Sequence, residues 1–195
     1  MPNWCYNQTV FYGDKETTIK LYKELKEKVD YYNNDHIDNF FKLLGVPQER
    51  LNTDLNVRAH LVDILLLEDN SLLLSYESAW NPIVEDLNYI LKEYKPSLKQ
   101  VTYAEECGLD IYINTDREGL YFKYKYYLDM STKGGNDFND EKYFDTLEDA
   151  IKAFKEFYGV DSDITTEEEL EEEIEKIREK YDYDAYITFE EFTDY

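Results

Sequence analysis

The stretch Trp4-Cys5-Tyr6-Asn7-Gln8-Thr9-Val10-Phe11-Tyr12 decides how this chain is read. Gln8, Val10 and Tyr12 fall on one face of it and Thr9 and Phe11 on the other, the two-residue period of a strand. Soluble chains commonly begin with a polar, frayed segment. Here a large apolar ring and a thiol are committed to structure within the first five residues. Gly13-Asp14 ends the strand, and Asp14 is placed to cap a following helix.

Working outward, Ile19, Tyr22, Leu25 and Val29 are spaced as one face of that helix. After the polar break Asn33-Asn34-Asp35, the residues Ile37, Phe40, Phe41 and Leu44 recur at i, i+3, i+4 and i+7. Gly45-Val46-Pro47 stops this second helix, and residues 48–60 are too polar to assign. Residues 62–68 and 72–77 read as two strands turning at Asp69-Asn70. Asn81-Pro82 supplies a helix N-cap and a first-turn proline. Ile83, Leu87, Ile90, Leu91 and Tyr94 form its apolar face, and Pro96 ends it. Three more strands are expected at 100–104, 109–114 and 120–128. The last rests on alternating aromatic and Lys residues in Tyr121-Phe122-Lys123-Tyr124-Lys125-Tyr126-Tyr127. Gly134-Gly135-Asn136 is a loop. Asp145-Thr146 then caps a helix carrying Leu147, Ile151, Phe154 and Tyr158. Thr165-Thr166 with Glu168-Glu169 makes a capping box for another, with Leu170, Ile174, Ile177 and Tyr181 inward. Residues 184–189 form a last strand, with Ala185, Ile187 and Phe189 facing in.

Strand, helix, hairpin, helix, strand is a split βαβ order. The expected class is therefore α+β: a ferredoxin-like antiparallel sheet with helices packed on one face, plus an acidic C-terminal helix-helix-strand extension. A core at 1–144 and an extension at 145–195 are expected to form one structural unit.

Three places carry a resemblance. They are Pro2-Asn3-Trp4-Cys5 with Asn7, then Ser78-Ala79-Trp80-Asn81-Pro82, then Tyr103-Ala104-Glu105-Glu106-Cys107-Gly108-Leu109-Asp110. Over roughly residues 1–130 the chain resembles the YubB-type ferredoxin-like domain family, the Api-like proteins of plasmids, phages and pathogenicity islands. In the resemblance, Pro2, Asn3, Trp4, Cys5, Asn7, Trp80, Pro82, Tyr103, Glu105 and Gly108 are the family-motif positions. Two departures are Ile83, where similar proteins often carry a second proline, and Cys107, where proline is usual before the glycine. The family carries no settled biochemical activity, so what it implies is a fold and a mobile genetic element. A ferredoxin-like fold does not imply an iron–sulfur cluster, which takes about four cysteine ligands, and this chain has two cysteines.

Composition narrows the function. The 195 residues carry a net charge of −23, with 44 Asp and Glu against 21 Lys and Arg. Residues 145–195 hold 19 of the acidic residues and 5 of the basic ones. Direct nucleic-acid binding needs clustered cations and is not expected. No apolar run approaches the roughly 18 residues of a membrane span, and the first residues lack a basic stretch followed by an apolar one. Two cysteines do not make a disulfide framework. A cytoplasmic, reduced protein is expected.

Chemistry-bearing motifs are sparse. His36 and His60 are the only histidines, and neither lies at a metal-ligand spacing. Cys5 and Cys107 sit in strand-like apolar settings, where thiols act as small hydrophobes. Glu105-Glu106 precedes a glycine and reads as a turn cap. Trp80, where a strand gives way to a helix, reads chiefly as a staple on that helix. Residues 180–191 mimic an EF-hand loop with Asp182, Asp184 and Glu191 at positions 3, 5 and 12. Lys180 at position 1 and Ala185 at position 6 break the pattern. No metal or other cofactor is expected.

The reading that follows is a non-enzymatic interaction module that binds an unidentified protein partner, with no membrane involved. Its partner surface is expected at Glu167, Glu168, Glu171, Glu172 and Glu175. A DNA-mimic inhibitor of a host defence or DNA-binding enzyme is the alternative. An enzyme with a pocket near Trp4, Trp80 and Glu105-Glu106 is the second.

Overall fold

A computed structural model describes residues 3–28, 37–53, 58–131, 140–182 and 184–194. The protein is α+β, and its chain divides into two compact units that meet in sequence at Asp116 and Arg117.

In the first unit, strand β1 (Trp4–Gly13) buries Cys5, Asn7, Thr9 and Phe11 on one face. The Asp14 carboxylate accepts from the Glu16 N–H and the Thr17 hydroxyl, and so opens α1 (Lys15–Lys28). The buried side of α1 is Thr18, Leu21 and Leu25, a stripe rotated from the expected Ile19 and Tyr22. Thr18 belongs to the inward face, where its hydroxyl donates to the Asn70 carbonyl at 2.7 Å. Val29 lies outside the described residues. Helix α2 (Asp38–Leu44) buries Phe40, Phe41 and Leu44 and is closed by Gly45 at φ 101, a backbone state open to glycine at little cost. The polar stretch left unassigned contains a short helix, α3 (Gln48–Thr53).

Strands β2 (Ala59–Leu66) and β3 (Leu72–Ala79) form the hairpin, with Asn70 at φ 68 in its turn. Helix α4 (Val84–Tyr94) begins after Ile83 with no side-chain cap, so Asn81 is not its N-cap. Asn81 is otherwise engaged: its N–H goes to the Ala79 carbonyl, and its own carbonyl accepts from the Ser78 hydroxyl. Strands β4 (Leu98–Glu106) and β5 (Ile111–Asn114) complete a five-stranded sheet of order β2-β3-β1-β4-β5, antiparallel at every pairing. Phe11, Ile64 and Leu74 from one sheet face meet Leu25, Phe40, Phe41, Leu87 and Ile90 from the helices. The helices therefore pack on a single face.

The second unit pairs β6 (Tyr126–Met130) with β7 (Asp140–Phe144) on one side and β8 (Ile187–Glu191) on the other, both antiparallel. Helices α5 (Leu147–Tyr158) and α6 (Glu167–Lys180) are held as the sequence indicates. The Thr146 hydroxyl accepts from the Asp149 N–H, and Thr166 with Glu169 closes a reciprocal capping box. Leu128 and Met130 share a core with Phe154, Leu170, Ile174 and Ile187.

Two expectations differ here. The Tyr- and Lys-rich run is not a strand until Tyr126, since residues 115–125 carry no strand. Strands β6 and β7, grouped by the sequence reading with residues 1–144, pair with the C-terminal strand instead. The division falls at 116/117 because β6 is the central strand that α5 and α6 need for their core. Among the described residues, no helix is long and apolar enough to cross a membrane.

Candidate functional site

The three motif segments, far apart in sequence, meet at one end of the first unit's sheet. Trp4 lies opposite Ala79, Cys5 opposite Ser78, and Tyr6 opposite Glu105. The Trp80 N–H donates to the Asn3 carbonyl at 2.9 Å. A methyl group placed on Gly108 would stand 2.9 Å from Glu106 Oε1 and 3.5 Å from Asn3 Nδ2. Pro2 lies outside the described residues, and Pro82 is buried.

Trp80 is the strained member. It sits at φ 75 with the Asn81 N–H bonded to the Ala79 carbonyl at 3.0 Å, which closes a positive-φ γ-turn. Its side chain is 47% exposed, so packing does not explain a bulky residue there. Side chains with a Cβ lose on the order of 1 kcal/mol in left-handed backbone, and glycine does not. Trp80→Gly is therefore expected to be about 1 kcal/mol more stable than Trp80→Ala. Urea unfolding of the two variants measures this, and an Ala variant that is the more stable would refute strain at this turn.

Below the corner runs a buried polar chain. Thr9 Oγ1 lies 3.0 Å from Tyr76 Oη and 2.7 Å from Thr102 Oγ1, and Thr102 donates to Gln100 Oε1 at 2.7 Å. Asn7 Nδ2 donates to the Cys5 carbonyl and to Ser78 Oγ, while Asn7 Oδ1 is buried with no hydrogen-bond partner. Burial pushes the Cys5 thiol up to about 12, and Glu106 and Glu105 add to the shift. A thiol held that far from its thiolate is no nucleophile. Glu106 accepts from the Gly108 N–H at 3.2 Å, a turn cap.

The opposite sheet face carries what sequence reading passed over. Register lines up one side chain from each strand: His60, Glu77, Tyr6, Glu105 and Tyr112. His60 Nε2 and Glu77 Oε2 are 2.9 Å apart. The Tyr103 hydroxyl donates to Glu105 Oε2 at 2.7 Å. The Trp4 and His60 rings are nearly perpendicular, 4.8 Å apart between centroids. Trp4 is on β1 and His60 on β2, so that contact crosses β3 where the small Ala79 makes room. No spacing in the sequence reveals this row, because it exists only once the strands are in register. His36 lies outside the described residues.

In the second unit, Glu168, Glu171, Glu172 and Glu175 line a groove of about 440 Å³ with Ile174 and Phe189. Arg178 also borders it, bonded to Glu175 and to the Ile187 carbonyl. Glu167 does not line the groove, and accepts instead from the Tyr126 hydroxyl at 3.3 Å. On the unit's central strand Asp129 is buried with Oδ1 unpartnered. Burial, then Glu141 across the ladder, holds its carboxyl above the usual range.

Among the described residues, no three His, Cys, Asp or Glu side chains are placed to hold a metal ion. No protein-family model, no curated protein and no solved structure matches the chain.

Proposed function

We propose that the chain is a protein-interaction module without catalytic activity, and that a basic protein partner seats in the groove of α6 and β8. The observation that carries this is the groove itself. Four carboxylates stand on successive turns of α6 above an apolar floor of Ile174 and Phe189. Such a floor under an acidic wall suits a basic segment that also buries an apolar side chain. Against a DNA mimic stands the composition of the helix's end. Lys176, Arg178 and Lys180 interrupt the acidic run after about two turns, too short a stripe to imitate a duplex that offers a charge every ~1.7 Å.

We further propose that residues 3–116 are a ferredoxin-like domain of the YubB type, carried by a mobile element. The order β2-β3-β1-β4, with a helical connection after β1 and α4 between β3 and β4, supports the fold. The meeting of its three motif segments supports the family.

Reversing Glu168, Glu171, Glu172 and Glu175 to Lys is expected to weaken partner capture about tenfold or more, since these exposed charges would steer encounter and like charges would then oppose a basic partner. Capture from host lysate by the native and reversed chains, quantified by mass spectrometry, tests this. Unchanged capture would remove the groove as the partner surface.

A further inference from the structure

We propose that the His60 end of the residue row in the first unit is a guanidinium-binding site, with Trp4 as the stacking face and Glu77 as the anionic fork. This does not depend on the groove in the second unit.

Three observations converge. Trp4 is 38% exposed although it sits on a strand, and the His60 ring packs nearly perpendicular to its indole, leaving the exposed part of the indole to a ligand. Glu77 is oriented by His60, which engages Oε2 alone, so Oε1 is left to accept from a ligand. Tyr6 stands between Glu77 and Glu105, and no Lys or Arg belongs to the row, although Arg58 stands beside Ala79, two residues before His60. The site is therefore an aromatic surface beside a carboxylate that is already fixed.

Among cations, geometry separates the two common classes. A guanidinium is planar, stacks on an indole face and offers paired N–H donors to a carboxylate. An ammonium is a compact, strongly hydrated point charge that gains less from the ring. The shared chemistry could come from a free guanidine or from an arginine in an extended peptide.

The chain has two tryptophans, so an amide correlation spectrum shows two indole N–H signals, assigned through Trp4→Phe. Agmatine and acetyl-Gly-Arg-Gly-amide are titrated separately, with putrescine as the ammonium comparison. The Trp4 indole signal is expected to shift saturably with both guanidines, with a Kd on the order of 1 mM. The Trp80 signal stays in place, and putrescine binds at least tenfold more weakly. Glu77→Gln weakens agmatine at least tenfold, while Glu171→Gln with Glu172→Gln leaves it unchanged. If Glu77→Gln does not fold, Trp4→Phe read at the Tyr6 backbone amide replaces it, with binding about threefold weaker. A peptide that binds tenfold tighter than agmatine identifies a protein-borne arginine, and equal binding identifies a free guanidine. A Trp4 signal that does not move, equal binding of putrescine, or full binding by Glu77→Gln would overturn the site.

Discussion

Phe40→Ala is expected to lower the unfolding free energy by about 3–5 kcal/mol. Phe40 is fully buried, and its ring centre lies 5.0 Å from that of Phe11 and 6.4 Å from that of Phe41. Phe11 is on the sheet and Phe41 on the same short helix, so Phe40 joins the two layers. Truncation removes the transferred apolar surface and leaves a cavity that α2 cannot close. With seven residues, that helix has little stability of its own. Urea titration measures the change as a lower midpoint with the slope retained. A loss under about 1.5 kcal/mol would mean that the layers repack around the gap.

Thr9→Val is expected to cost about 2–3 kcal/mol although it preserves the shape of the side chain. The hydroxyl of Thr9 is the middle link between Tyr76 and Thr102. Thr102 keeps its bond to Gln100, but Tyr76, fully buried, loses the stronger of its two hydroxyl partners, Thr9. Burial holds the Tyr76 phenol above its usual range, so it stays a protonated donor, with only the weaker partner Thr102 left to it. Adding Tyr76→Phe removes the stranded group, and the double variant should lose at least ~1 kcal/mol less than the two single losses together. Strict additivity would show that the two hydroxyls do not act as one chain.

Much of the fold is legible in the residues. The alternation in 4–12, the Asp69-Asn70 turn and the Thr166 capping box each impose a local geometry, and each is found. Local signals mislead where a residue's partner is distant. The apolar spacing of Ile19, Tyr22 and Leu25 does not include the polar Thr18, yet its hydroxyl is claimed by Asn70 on the hairpin. Asn81-Pro82 has the chemistry of a helix start, but the γ-turn at Trp80 already uses Asn81. Tyr121 to Lys125 has the period of a strand, and period alone does not supply a partner strand. The candidate sites follow the same division. The acidic face of α6 lies in consecutive turns and is readable from spacing. The row of His60, Glu77, Tyr6 and Glu105 takes one residue from each of four strands, so nothing short of the register assembles it.

The unequal setting of the two cysteines makes the chain chemically addressable. Cys5 is sealed in the first strand with its thiol pushed up to about 12, whereas Cys107 is exposed in the turn after β4. A maleimide or other alkylating reagent will react at Cys107 and spare Cys5 while the fold holds. Without any engineered residue, the native sequence thus provides one attachment point for a fluorophore or spin label. That point sits in the segment where the motifs converge, close enough in the fold to report on Asn3 and its neighbours. Late labelling of Cys5 would in turn time the opening of the first strand.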